Sequence, residues 1–392
     1  MTVFRRLLVF AGSVALVVLG VGLKPAAAYP QFQFSSGTQR CAQCHYAPAG
    51  FGLLTSWGRD EAADTISRGG GDGGFLHGAW TPPDWLALGG DFRAAALRND
   101  SGAKAGAETA VFPMQAELYV RAGFGDTGLS AYVAGGYRGK VRPDEHYSPG
   151  YFDSAMSREH YLMWKPSATG AYVRAGRFYA PYGLRMAEHL YYVRSRTGFD
   201  LYQETYNVSG GYLADDWEMH LTAFTPPPNT LPRPLRSAAT GSGAAAYFEK
   251  RFESARALGL QARYSKNSEH SLVQAGLVGK LWIDNAKLLF LGELDFQKDS
   301  PATSVPGSNQ LIAYIGPTFF PIKGVMATVA LERYQTDLSV AATARTAVDL
   351  QVNFFPYAHC EAVLLGRYQM SGTGEADGPT DGLLMLQLHY YL

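Results

Sequence analysis

Cys41-Ala42-Gln43-Cys44-His45 is the stretch of this 392-residue chain whose residue types and spacing could do chemistry. Two thiols at C-x-x-C, followed at once by a histidine, match the attachment pattern of a c-type haem. The sulfurs would form thioethers to two vinyl groups on one edge of a porphyrin. The next side chain would then lie beneath the iron, so His45 is the expected proximal ligand. A redox dithiol or a zinc site is the chemical alternative for the same residues. The expected cofactor is one covalent haem c.

The sequence leaves the sixth iron ligand open. No methionine lies between Cys44 and the first predicted strand, and the only other histidine there is His77. Ligation by His45 and His77 together is one reading. An open or water-bound iron is the second. A ligand from elsewhere, such as Met114 or a loop histidine, is the third. Thr55 or Ser56 is placed to cap a short helix running through Ser67. The glycines from Gly69 to Gly74, interrupted by Asp72, read as a flexible stretch. Tyr46 to Arg59 resembles haem segments of bacterial exported proteins, which run from C-x-x-C-H through Pro and a Gly-rich turn to aromatic-Gly-Arg. Here that ending is Trp57-Gly58-Arg59. The resemblance implies haem attachment and little else.

The elements that must position this motif do not read as a cytochrome. Arg5-Arg6, the apolar run Leu7 to Leu23 and Ala26-Ala27-Ala28 form an export signal with cleavage expected after Ala28. Residues 1–28 are thus a signal peptide, 29–84 a periplasmic haem segment and 85–392 a separate unit. Lys+Arg and Asp+Glu balance at 34 each, which gives no reason to expect a nucleic-acid partner. Charged residues make up 17%, below the roughly 25% usual in soluble domains. Cys360 stands alone and reads as a small apolar residue on a strand, so no disulfide framework is expected.

From Trp85 onward, apolar and polar residues alternate with period two in about 16 segments. They run approximately 86–98, 111–124, 128–139, 157–166, 169–179, 202–214, 216–226, 243–252, 256–267, 270–283, 286–298, 308–320, 324–336, 345–355, 358–370 and 382–392. Links after even segments are short, such as Asp215-Asp216 and Asp284-Asn285. Links after odd segments are mostly long, with Asn267-Ser268-Glu269 the exception. Outer-membrane barrels show this alternation, with short periplasmic turns, long outer loops and an even strand count. The fold class is therefore all-β: a transmembrane antiparallel up-and-down barrel, preceded by a haem-binding segment with little regular structure.

Strand parity agrees. Glu293, Asp295 and Gln297 face one way; Leu288, Phe290, Leu294 and Phe296 face the other. Arg345, Ala347, Asp349, Gln351 and Asn353 oppose Thr346, Val348, Leu350, Val352 and Phe354. A polar inner face implies a pore or a plugged lumen. Aromatics gather at segment ends (Phe178-Tyr179, Tyr191-Tyr192, Phe319-Phe320, Phe354-Phe355, Tyr390-Tyr391), as interface girdles would. The ending Leu384-x-Leu386-x-Leu388-x-Tyr390-x-Leu392 resembles the terminal strand read by the barrel-assembly machinery, except that such strands usually end in an aromatic.

Gly176-Arg177-Phe178-Tyr179-Ala180-Pro181-Tyr182-Gly183-Leu184-Arg185 resembles the G-R-x-x-x-P-[FY]-G-[LM] stretch of anion-type outer-membrane porins. That resemblance implies that the following loop, with Arg185, Glu188, His189, Arg194, Arg196 and Asp200, folds toward a constriction. Arg177, Arg185, Arg194 and Arg196 are the candidate constriction residues, and a basic constriction favours small anionic solutes. A solvated surface loop is the plainer reading.

No phosphate loop, nucleophile elbow or zinc-protease motif is present. The expectation is electron transfer at or across the bacterial outer membrane, with periplasmic or extracellular electron-transfer proteins as partners. A porin in which the haem segment is a plug or redox gate is the alternative. A haem peroxidase is the third reading.

Overall fold

The computed structural model describes residues 29–101, 108–138, 155–200, 203–227, 241–302, 306–372 and 380–392. The expected signal peptide, residues 1–28, lies outside them. Sixteen strands close into one antiparallel barrel in which each strand pairs with its sequence neighbours and the last pairs with the first. They are β1 Leu86–Ser101, β2 Glu108–Gly123, β3 Leu129–Arg138, β4 Ala155–Trp164, β5 Gly170–Phe178, β6 Thr205–Leu213, β7 Trp217–Thr225, β8 Ser242–Phe252, β9 Arg256–Lys266, β10 His270–Ile283, β11 Leu288–Pro301, β12 Ser308–Ile322, β13 Val325–Gln335, β14 Ala344–Phe354, β15 Cys360–Ser371 and β16 Thr380–Tyr391. Closure follows from register: Phe92 lies opposite Tyr390 and Asn99 opposite Leu383, so no backbone edge is left unpaired.

The wall has an apolar outside and a polar inside. On β9, Leu258, Leu260 and Tyr264 are exposed on the outer face, while Gln261, Arg263 and Ser265 are buried on the inner. On β14, Asp349, Gln351 and Asn353 are buried and Leu350 and Val352 are exposed. An apolar outer belt over a charged interior suits a bilayer, because lipid cannot solvate charge. No described helix is long and apolar enough to cross a membrane.

One expectation about the aromatics is corrected. Phe319 is exposed on the wall, but Phe178, Tyr191, Tyr192 and Phe355 are buried in interior clusters. A girdle exists at the short-turn end, where Phe319 is joined by residues not expected there: Trp85, Phe124, Trp164 and Phe252 are exposed as well. Sequence pairs of aromatics place one ring on each face or lie in the inward loop, so adjacency alone does not mark a girdle.

The lumen is filled from two directions. Residues 29–84 enter at the short-turn end. Gln33 reaches Glu249 (3.0 Å) and Lys280 (2.6 Å) on the inner wall, and the Tyr29 hydroxyl donates to Glu361 (2.8 Å). The segment is fastened below by Arg40 to Asp215 (2.8 Å) and by the Arg68 N–H to the Phe355 carbonyl (2.8 Å). The glycines from Gly69 to Gly74, expected as a loose linker, are docked instead. The Gly69 and Ala358 N–H groups bond across to Pro356 and Gly70, and a Cβ at Gly69 would strike the Tyr357 ring at 2.2 Å. Close backbone approach, rather than flexibility, accounts for glycine there.

The second filling is the loop of residues 180–200, which folds inward from the end of β5. Gly183 N–H donates to Gln261 (2.7 Å), Leu184 N–H to Glu293 (2.7 Å) and the Tyr182 hydroxyl to Asp295 (2.7 Å). Tyr191 donates to Gln351 (3.1 Å), which in turn donates to Glu188 (2.8 Å). Leu184, Met186 and Tyr191 pack on inward-facing Leu289, Leu291 and Tyr314. Inner-wall polar groups thus supply the bonds that a lone loop in water would make to solvent.

Candidate functional site: a cavity beside Cys41, Cys44 and His45

Helix α1, Cys41–Cys44, is a single turn. The Gln43 side-chain oxygen accepts from both Gln39 N–H and Arg40 N–H (2.9 Å each), holding the chain at its start. The two cysteines are three apart on that turn and share one face. Helix α2, Ser56–Asp60, continues into a wider turn, Glu61–Ile66. Thr55 caps it as expected: its hydroxyl oxygen accepts from Gly58 N–H (3.1 Å) and its O–H donates to the Gln43 carbonyl (2.6 Å). Gly58 lets the two helices touch, since a Cβ there would meet the Cys44 carbonyl oxygen at 2.2 Å. Between them the chain doubles back, with Tyr46 N–H bonded to the Leu53 carbonyl (3.1 Å) and Thr55 N–H to the Cys44 carbonyl (2.9 Å).

Both thiols and His45 face one largely apolar cavity, whose walls include Phe32, Ala49, Phe51, Ile66, Leu184 and Arg185. His45 is buried, and its Nδ1 has no hydrogen-bond partner among the described residues. Burial lowers its pKa to about 4, against opposing backbone contacts from Gly52 and Phe51. It is therefore neutral at pH 7, the form that ligates a metal. Burial also pushes the Cys44 thiol up to about 11 and raises Cys41. Dithiol redox centres need low-pKa thiolates, so this environment opposes that alternative. Among the described residues, no group of three or more His, Cys, Asp or Glu is placed to hold a metal ion, as a zinc centre requires. Two thiols, a neutral imidazole and a largely apolar slot fit a covalent haem. Cys41 and Cys44 would hold its edge, His45 its iron, and the iron would supply one-electron chemistry.

The structure does not bring His77 to this cavity. Its Nε2 lies 3.0 Å from the Tyr390 hydroxyl, and its ring packs edge-on against His359 at 4.4 Å. The reason is topological: the docked glycines carry the chain out beneath the β14–β15 turn before His77 is reached. Met114 sits on β2 at an irregularity opposite Arg93 and Ala94 and does not line the cavity. His189 and His389 line a second cavity that also touches His45, with Arg93, Arg158 and Arg194. His189 is 3.6 Å from Asp200, and His389 is 2.9 Å from Glu361.

The four candidate constriction arginines separate. Arg185 lines the haem-motif cavity, with Nη2 3.9 Å from Cys41 Sγ and 3.6 Å from Glu218. Arg194 holds the loop closed through the Met186 (2.6 Å) and Ala187 (2.9 Å) carbonyls and lies 5.9 Å from the Phe51 ring. Arg177 ends β5, bonded to the Ser157 carbonyl (3.1 Å) and 3.6 Å from Glu204. Arg196 is exposed, with its guanidinium 5.0 Å from the Tyr334 ring centre. Two of the four therefore meet the N-terminal segment and two do not. Sequence reading missed the inner-wall residues that hold the fillings, Glu218 against Arg185 and Glu249 and Lys280 against Gln33, and Arg251, which links Glu218 to Glu249. Strand parity would have placed them inward, but not against Cys41.

No protein-family model and no curated protein sequence matches this chain. Solved structures do. The anion-selective porin of Comamonas acidovorans aligns at a TM-score of 0.58 and 10% identity, covering 78% of this chain and 99% of that one. Outer-membrane OmpT of Vibrio cholerae aligns at 0.56 and 12%, covering 80% and 99%. The outer membrane channel DcaP of Acinetobacter baumannii aligns at 0.54 and 11%, covering 78% and 97%. Residues 85–392 make up much the same share of this chain. At such identity the likeness speaks for the fold: residues 85–392 form a porin-like outer-membrane β-barrel.

Proposed function

We propose that this chain is a porin-type barrel of the bacterial outer membrane whose lumen houses one covalent haem c, and that it exchanges electrons there. The observation that carries the reading is the placement of the C-x-x-C-H turn. Its thiols and neutral His45 open on one apolar cavity inside the barrel. The barrel would keep the iron away from lipid and leave it reachable by a partner or small redox species entering the lumen. A single haem does not span an apolar band roughly 25 Å tall, so a second carrier must complete any transfer across it. Cys41 and Cys44 would anchor the haem and His45 would ligate it. With His77 held at Tyr390, the sixth position falls to water or to a residue of the barrel. The decisive test is the pyridine haemochrome spectrum of the purified full chain after denaturing electrophoresis. Covalent haem that disappears in Cys41→Ala/Cys44→Ala supports the reading; a wild-type chain free of haem sinks it.

The likeness to an anion-selective porin and to other channels favours a second reading, a solute porin with residues 29–84 as plug or redox gate. Arg185 and Arg194, buried on the inward loop, would suit small anions. Anion flux through reconstituted barrels, measured with the haem oxidised and reduced, separates the two. Flux indifferent to redox state would eliminate the gate.

A further inference from the structure

We infer that Arg185, Glu218, Glu249, Arg251 and Lys280 form a buried counter-charge built against the cavity beside Cys41, which favours the more negative, reduced state of the group held there. This rests on the haem reading above and adds to it residues that set the potential. The five side chains are at most 3% exposed and form a chain of contacts. Arg185 lies 3.6 Å from Glu218. Arg251 lies 2.9 Å from Glu218 and 3.2 Å from Glu249. Lys280 lies 2.7 Å from Glu249. Three cations therefore meet two carboxylates, which leaves one positive charge uncompensated within the cluster. His220, 3.3 Å from Glu218, adds positive charge or none. Glu293 and Asp295 are engaged elsewhere, by Leu184 N–H, the Tyr182 hydroxyl and the Gln261 amide.

Arg185 brings that excess charge to the cavity. It lines the space, its Nη2 is 3.9 Å from Cys41 Sγ, and its Nε and Nη1 have no hydrogen-bond partner among the described residues. A buried guanidinium with idle donors is costly unless negative charge lies near it. Gln33, bonded to Glu249 and Lys280, ties the N-terminal segment to the same cluster. Adding one electron to the iron makes the bound group more negative by one unit, and a fixed positive charge nearby stabilises that form. A unit charge acting across roughly 10 Å of protein interior changes the oxidised-to-reduced ratio by about tenfold.

The experiment is a spectroelectrochemical titration of the full haem-loaded chain in detergent, with soluble mediators supplying and removing the electron. Arg185→Gln should lower the midpoint by about tenfold in that ratio, which is about 59 mV for a one-electron couple. Arg185→Lys keeps the charge and should stay near wild type. Glu218→Gln removes a negative charge and should raise the midpoint. If Arg185→Gln does not assemble, Lys280→Met makes the same test with the same sign. A midpoint that ignores Arg185→Gln, equal losses in Gln and Lys variants, or a fall in Glu218→Gln would overturn the counter-charge. Failure of the underlying reading looks different: the wild-type chain then shows no haem band to titrate.

Discussion

The wall of the barrel and the filling of its lumen are built on opposite terms. The wall is regular: each strand bonds to its sequence neighbours, and one long-range pairing, β1 with β16, closes it. The filling is irregular, and its contacts with the wall join residues far apart in sequence. Gln33 meets Glu249, Tyr29 meets Glu361, and Tyr191 meets Gln351. The fold of the wall is also shared with solved outer-membrane porins. The lesson is that a repetitive wall can carry a specific interior. Its inner face is charged, and that charge binds the chain's own segments.

Removing the filling gives the largest expected effect. A chain whose signal peptide is joined directly to residue 85 should still form a heat-modifiable barrel. Its single-channel conductance in planar bilayers should rise from near zero to that of an open pore. A truncated chain that fails to insert would show that the two regions are one folding unit. The next effect is confined to the wall. Leu260→Arg puts charge on the exposed outer face of β9 and should cost about 2–4 kcal/mol if it lies near the bilayer midplane, read as a lowered denaturant midpoint in vesicles. Its neighbour Gln261 points inward to Gly183 N–H, Glu293 and Asp295. Gln261→Ala loses one bond to the loop and two to β11, each worth about 1 kcal/mol, so the wall itself should lose at most about 2 kcal/mol. The substitution should also make the loop's Pro181–Leu184 turn open to protease. Equal loss of wall stability in both variants would erase the distinction between wall and filling.

Legibility in the sequence followed the same division. The strand count, the alternation of link lengths and the faces of β9, β11 and β14 were readable because a two-residue period has one interpretation beside a bilayer. C-x-x-C-H is local in spacing, and the structure brings Cys41, Cys44 and His45 to one cavity. His77 was misplaced because sequence distance says nothing about the path of docked glycines. Phe178 and Tyr191 read as girdle residues because a ring at a strand end looks alike whether it faces lipid or a plug. Leu289 and Leu291 break the polar inner face of β11, and that break was the visible sign that something apolar fills the lumen. Which segment fills it depends on long-range pairing, which no local pattern encodes.

The smallest expected effect tests whether the filling is itself organised around the haem motif. Thr55 bridges the two short helices: it accepts from Gly58 N–H and donates to the Gln43 carbonyl. Thr55→Ala removes an N-cap and should cost about 0.5–2 kcal/mol of local stability. The wall makes no use of that hydroxyl, so barrel melting should not move. The amides of Gly58 and Arg59 should instead exchange with deuterium several-fold faster, because loss of the cap opens the first turn of α2 and frees the Arg59 N–H from the Thr55 carbonyl. Thr55→Ser keeps the oxygen and should restore protection. If exchange is unchanged in the alanine variant, α2 is held by the packing of Ala62 and Leu54 against Tyr391 alone, and the lumen wall, rather than the capping bond, organises the motif.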